Sequence, residues 1–315
     1  MKKLISAILS FALMCSFVCP ALASNAVIDT EFIGNVQHPN CTWPAEMYIF
    51  DETADKEAYE MLLNSDLITD NVKRIIQGEN FIVGDGVKLS PELSDIYSGI
   101  DPLWLSGGTN YTHQYITSTA LSILAKDKNI SQFKTYSDTI LMGSDKPDED
   151  ETSEAFAGHF YNPYTGKNYL GNANNTALTN FSKHYSTAVS QYKSRSYNSA
   201  FDELGRALHY LQDVSEPHHA SNLIAVITNH GDFEEYANEN RTKYSTYTLP
   251  ASSYDYALNT DYRDMLANCA YFAYDYKEQC QNTSSYATTL SATLKQAQRN
   301  SAAILWKFAN DAGIV

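Results

Sequence analysis

Apolar residues recur three and four positions apart through most of the chain from Thr109 onward. The stretches "NYTHQYITSTALSILAKD", "ISQFKTYSDTILMGSD" and "TALTNFSKHYSTAVSQYKSR" each show this spacing, which predicts amphipathic helices. "YNSAFDELGRALHYLQDVSE" predicts another, starting after an Asn or Ser cap, and two long helices over roughly 254–280 and 286–309 close the chain. Earlier, "DETADKEAYEMLLNSDLITDNVKRIIQGEN" predicts two short helices with a break near Ser65, and "FIVGDGVKLSPELSDIYSGIDP" a turn-rich loop. The polar, acidic "GSDKPDEDETSE" reads as a surface loop. Alternating strand patterns are scarce and no repeat is visible. The expected fold is therefore all-α: a compact multi-helix domain with one loop-rich segment around 140–175.

The first residues break that pattern. Lys2 and Lys3 precede a short apolar run that ends in "ALA" before Ser24, the form of a secretory signal peptide over 1–23. The run is too short for a membrane anchor. The expected localisation is secreted and extracellular. Removing 1–23 takes two lysines with it, so 37 acids face 20 Lys and Arg, a formal charge of −17. Such a surface disfavours nucleic acid and gives no general attraction to anionic lipid. Three cysteines remain, Cys41, Cys269 and Cys280. They are too few and odd in number for a disulfide framework. Cys269 and Cys280 would stand about 16 Å apart along one helix, too far to pair.

The chemistry concentrates in "LHYLQDVSEPHHASN" and its neighbours. His209 and Asp213 are four apart on a predicted helix, so they share a face and can reach one ion. His230 and Glu234 repeat the spacing. Between the pairs Pro217 ends the helix, and His218 and His219 follow. Upstream lie His113, Asp145 and His159, the last in "HFYNPYTGKNY". His184, in "SKHYS", reads as a solvated helix residue, and His38, before a proline, as a loop residue. Imidazole with carboxylate suits zinc, though the donor types alone also admit iron or manganese.

From Trp104 to the C-terminus the chain resembles the bacterial zinc-dependent phospholipase C family. The matching order is His113, Asp145 with His159 fourteen later, His209-x-x-x-Asp213 with His219 six later, then His230-x-x-x-Glu234. The resemblance implies a site for three zinc ions. The first would take Asp145, His159, His209 and Asp213, and the second His219, His230 and Glu234. The third would take His113, Asp213 and an N-terminal tryptophan, for which Trp104 stands nearest the family's spacing. His218 is the alternative to His219, but only His219 has the family's ten-residue offset from His209. Paired metals acidify a water and hold both attacking and leaving oxygens of a phosphodiester. The resemblance also makes Asp145 the candidate general base and Phe156 a candidate head-group contact. Lys146 falls where some relatives place a head-group tyrosine, which departs from a choline preference.

The implied activity is a secreted phospholipase C that releases diacylglycerol and a phosphorylated head group at a membrane surface, acting as a monomer. The rivals are a nuclease or nucleotidase of the same superfamily and a non-catalytic zinc-binding secreted protein. The nucleases usually end their ligand series in H-x-x-x-D after a longer loop, whereas this chain has Glu234. The chain ends soon after its last helix, so the C-terminal lipid-binding β-sandwich of some toxic relatives is not expected. Residues 24–103 would be an N-terminal extension or a propeptide, and residues 104–315 the catalytic domain. Processing before Trp104 would free the amino group that the third ion needs.

Overall fold

The computed structural model describes residues 40–84 and 111–315, and every regular element among them is helical. An isolated bridge joins Asn162 and Lys167. The two short helices expected near the start are α1 (Glu52–Leu63) and α2 (Asp70–Ile76). Asp51 and Thr69 accept from the first free N–H groups of each, which sets where they begin. Then come α3 (Thr112–Lys128), α4 (Ser131–Thr135), α5 (Ser137–Gly143), α6 (Lys146–Asp150) and α7 (Ser153–Phe156). The stretch read as one helix over 130–145 is two, because Tyr136 leaves helical geometry at φ −106°, ψ 16°.

After the turns of 160–176 follow α8 (Ala177–Lys193), α9 (Tyr197–Asp213), α10 (Pro217–Ser221) and α11 (His230–Asn240). The chain closes with α12 (Ala251–Asn259), α13 (Tyr262–Tyr274) and α14 (Tyr286–Ala312). The helix expected over 254–280 is broken, since Thr260 is extended and the Asp261 side chain caps the new N-terminus at Arg263. Cys41, Cys269 and Cys280 are all free thiols. Among the described residues no helix is long and apolar enough to cross a membrane.

Helices α8 and α9 form a hairpin, α9 also packs on α5, and α14 lies against α3. Helices α5 and α9 meet backbone to backbone. A Cβ on Gly143 would lie 2.4 Å from the Asp202 carbonyl, and one on Gly205 would lie 2.4 Å from that of Ile140. Only glycine allows that approach. It brings the end of α5, and the acidic segment after it, against the histidine face of α9.

Residues 40–84 share the main core. Trp43, Met47, Leu62, Val72, Ile75 and Ile76 are buried in the same cluster as residues of α9 and α14. Arg299 of α14 is fully buried and donates to the Met47, Ile49 and Thr248 carbonyls at 2.9–3.0 Å. Asp55 of α1 accepts from the Tyr247 amide and from the Thr246 and Thr248 hydroxyls at 2.7–2.9 Å. The bonds that tie residues 40–84 to the later helices span some 190 residues or more of sequence.

Candidate metal centre

Helix α9 carries His209 and Asp213 one turn apart on its innermost stretch, where every residue from Leu208 to Asp213 is buried. His209 Nδ1 lies 2.9 Å from the Ser144 carbonyl and His159 Nε2 lies 3.4 Å from that of Glu151. A carbonyl only accepts, so each outer nitrogen donates there, and the inner nitrogen is the one a metal ion can take once any proton on it has left. Those inner nitrogens, His209 Nε2 and His159 Nδ1, are 3.0 Å apart. Asp213 Oδ2 is 3.0 Å from His159 and 3.2 Å from His209, and Asp148 Oδ1 is 3.6 and 3.4 Å from the same two atoms. Four donors around a tetrahedral zinc at about 2.0–2.1 Å would be separated by about 3.3–3.4 Å. The observed separations bracket that value. Ring nitrogens and carboxylate oxygens this close need a proton or a cation between them, and their types and spacing fit zinc.

Burial alone would raise the Asp213 carboxyl, but His209 and His219 hold it well below the usual range. Asp148 is lowered in the same sense by His209 and His159. His209 is in turn pushed well above its ordinary value, burial being outweighed by Asp213 and Asp148. A proton or a metal ion can balance these acids, and binding the metal releases the proton. Burial pushes His113 down to about 4, so it is neutral and able to ligate. Its ring stacks on His209 at 4.1 Å, Nε2 is 3.5 Å from Asp213 Oδ1, and Nδ1 is 2.7 Å from the Gln212 amide oxygen. Gln212 is held by Thr117. Asp213 thus faces both His113 and the His159–His209 pair.

The second group is built by α10 and α11. His219 Nδ1 lies 3.0 Å from the His159 carbonyl, which turns Nε2 inward, 3.6 Å from Glu234 Oε1. His230 Nε2 lies 2.9 Å from the same oxygen. Burial holds His230 well below its ordinary value. Glu216 joins them, so Glu216, His219, His230 and Glu234 offer donor atoms within 4.8 Å of one another.

Several expectations change here. The acidic segment is only partly at the surface: Glu149, Asp150, Ser153 and Glu154 are exposed, but Pro147 and Asp148 of α6 are buried. Asp148, not Asp145, stands against the two rings, because one turn of helix separates them and presents the later carboxylate to α9. Asp145 instead accepts from the Gln114 amide at 2.7 Å, and Gln114 also bonds the Val83 backbone. Asp148 was legible only as one acid among several. Glu216 carried the stronger signal, standing directly before Pro217 as a helix cap. Phe156 is buried with its ring 5.6 Å from that of His159, and its backbone is left-handed at φ +62°. Lys146 pairs with Asp202. His218 is buried outside the second group, 2.6 Å from Glu216 and stacked on His230. Trp104 and His38 lie outside the described residues.

His184 is buried rather than solvated. It sits between Glu203 at 2.6 Å and Glu151 at 2.9 Å. Glu151 also takes Arg206 and the Tyr210 hydroxyl, so this clasp fixes the segment that carries Asp148 and His159. Burial lowers the His184 pKa, but the two carboxylates outweigh it and the net shift is upward. A raised folded value means the stabilisation is complete below the unfolded value of about 6.5 and is lost as pH rises through the folded one. His184→Gln should therefore lower the melting temperature most at slightly acid pH, with the gap to wild type closing on the alkaline side. A gap independent of pH would contradict a charged His184.

Residues 112–286, which carry all of these groups, match the zinc dependent phospholipase C family. A phospholipase C of Listeria monocytogenes is 32% identical over 124 residues, 36% of this chain and 43% of that protein. One of Paraclostridium bifermentans is 27% identical over 228 residues, 63% of this chain and 53% of that protein. The chain spans about half the length of the curated relatives it matches. Among solved structures, the alpha toxin of Clostridium absonum superposes with a TM-score of 0.52 at 22% identity, over 78% of this chain and 64% of that one, a likeness of fold. With the match running over more than half of the sequence and through both ligand groups, the chain belongs to the zinc dependent phospholipase C family.

Proposed function

We propose that the protein is a secreted, monomeric phospholipase C that hydrolyses the glycerol-side phosphodiester of phospholipids to diacylglycerol and a phosphorylated head group. The observation that carries this is the pair of facing inner nitrogens, His159 Nδ1 and His209 Nε2, 3.0 Å apart with Asp213 beside them. Zinc held there would supply an acidified water and positive charge for the phosphoryl oxygens. The protein's own part is to hold and orient. Asp148, His159, His209 and Asp213 would hold one ion, with Asp148 in the place the resemblance gives to Asp145. His219, His230 and Glu234 would hold a second. His113 and Asp213 would contribute to a third. The Ser144, Glu151 and His159 carbonyls fix the ring tautomers, a task whose loss typically costs about 10–100-fold in metal affinity or activity.

Purified protein should hydrolyse phosphatidylcholine, phosphatidylethanolamine or sphingomyelin vesicles, lose that activity to a chelator and regain it with zinc. Elemental analysis after zinc-replete purification should find at least two ions per chain. Less than one ion per chain would overturn the metal assignment. Zinc-dependent cleavage of single-stranded DNA with none of phospholipid would make the protein a nuclease instead. Bound metal should fall away as pH drops into the imidazole range, because protons compete for the same nitrogens.

A further inference from the structure

Glu216 is fully buried and was not among the ligands the resemblance supplied. It opens α10 as N-cap, and Oε2 accepts from the backbone N–H groups of His218 and His219 at 2.7 and 3.0 Å. Oε1 accepts from His218 Nδ1 at 2.6 Å. An ionised carboxylate has about four acceptor positions, two on each oxygen, so the three bonds leave one, on Oε1. Oε2 lies 3.7 Å from His230 Nε2. Glu234 Oε1 lies 2.9 Å from His230 Nε2 and 3.6 Å from His219 Nε2. These separations again bracket the tetrahedral edge of about 3.3–3.4 Å for zinc with nitrogen and oxygen ligands. His219 Nε2 is buried, points into this group and makes no hydrogen bond.

Resting on the zinc reading above, we propose that Glu216 is the fourth protein ligand of the second ion, completing a set with His219, His230 and Glu234. Two carboxylates and two neutral imidazoles cancel the charge of a divalent ion. A site closed by four protein ligands is the structural kind, whereas a catalytic site keeps a position open. The second ion therefore holds α10 and α11 together, and the first group is left to meet the phosphodiester. His218 acts as a positioning residue: its imidazole fixes the Glu216 carboxylate, and its ring stacks on His230 at 4.6 Å.

The test is zinc retention in the full chain, with wild type, Glu216→Gln and Glu234→Gln equilibrated against a graded series of chelator concentrations. Glu216→Gln should lose one ion per chain at chelator levels at least tenfold lower than wild type and keep the rest unchanged. Its metal-free form should lose less melting temperature against metal-free wild type than its zinc-loaded form loses against zinc-loaded wild type, since the glutamine oxygen still caps α10 and only the His218 bond goes. Retention curves that coincide would overturn the proposal, as would a metal-free melting loss equal to the zinc-loaded one. Wild type that takes up no zinc would instead sink the functional reading. If Glu216→Gln does not fold, cobalt absorption decides, taken as loaded wild type minus loaded His219→Ala. A closed site gives a band unmoved by added inorganic phosphate, and a band that shifts would mean an open position and refute the assignment.

Discussion

Asp213→Asn is expected to reduce hydrolysis of phospholipid at least a hundredfold and to release more than one zinc ion. Its two oxygens serve different partners. Oδ2 faces His159 and His209, while Oδ1 faces His113. Asparagine keeps the shape but loses the charge and replaces one acceptor with a donor. Removing one partner from a buried charged set costs about 3–5 kcal/mol, because the remaining charges stay buried without balance. At about 1.4 kcal/mol per factor of ten, that is a hundredfold or more in metal affinity. Asp145→Asn should cost far less metal, since Asp145 bonds Gln114 and lies outside both groups. Metal content and kcat/KM of the two variants, measured side by side, check the assignment. Equal losses, or a larger loss from Asp145→Asn, would return Asp145 to the ligand set.

Deleting residues 24–103 is expected to leave no folded enzyme, even though a cut before Trp104 would expose the amino group that the resemblance assigns to the third ion. Met47, Leu62, Val72, Ile75 and Ile76 are each at most 2% exposed, and they pack with the helices that carry the ligands. Burying a side chain of this size contributes about 1.5–3 kcal/mol. Five of them match the whole net stability of a typical domain, about 5–15 kcal/mol. The deletion would also strand the buried Arg299 without the Met47 and Ile49 carbonyls. A chain starting at Trp104 should therefore be insoluble or molten, with weak near-ultraviolet dichroism. A chain cut between the described segments should keep both pieces together on a sizing column and separate them only in denaturant. A soluble, cooperatively melting and fully active chain beginning at Trp104 would show that residues 40–84 are a removable propeptide. The earlier segment would then act by guiding folding rather than by holding the finished structure.

What the sequence determined by itself was whatever depends on neighbours along the chain. Helical periodicity located α3, α8, α9 and α14, because the side chains that cover a helix are three and four apart in the same segment. The i,i+4 pairs His209–Asp213 and His230–Glu234 were legible for the same reason, and each proves to be a close contact at 3.2 and 2.9 Å. What only the tertiary structure decided was which residues meet across helices. Asp145 and Asp148 sit in one acidic run, and nothing local says which of them faces α9. The backbone contact at Gly143 and Gly205 sets that register. His184 looked solvated because the carboxylates that enclose it come from α9 and from the loop before α7. Residues 40–84 looked separable because their partners, Tyr247, Thr248 and Arg299, stand near the other end of the chain. Periodicity reports that a face is apolar, whereas the identity of the surface that buries it is a long-range contact that no local spacing encodes.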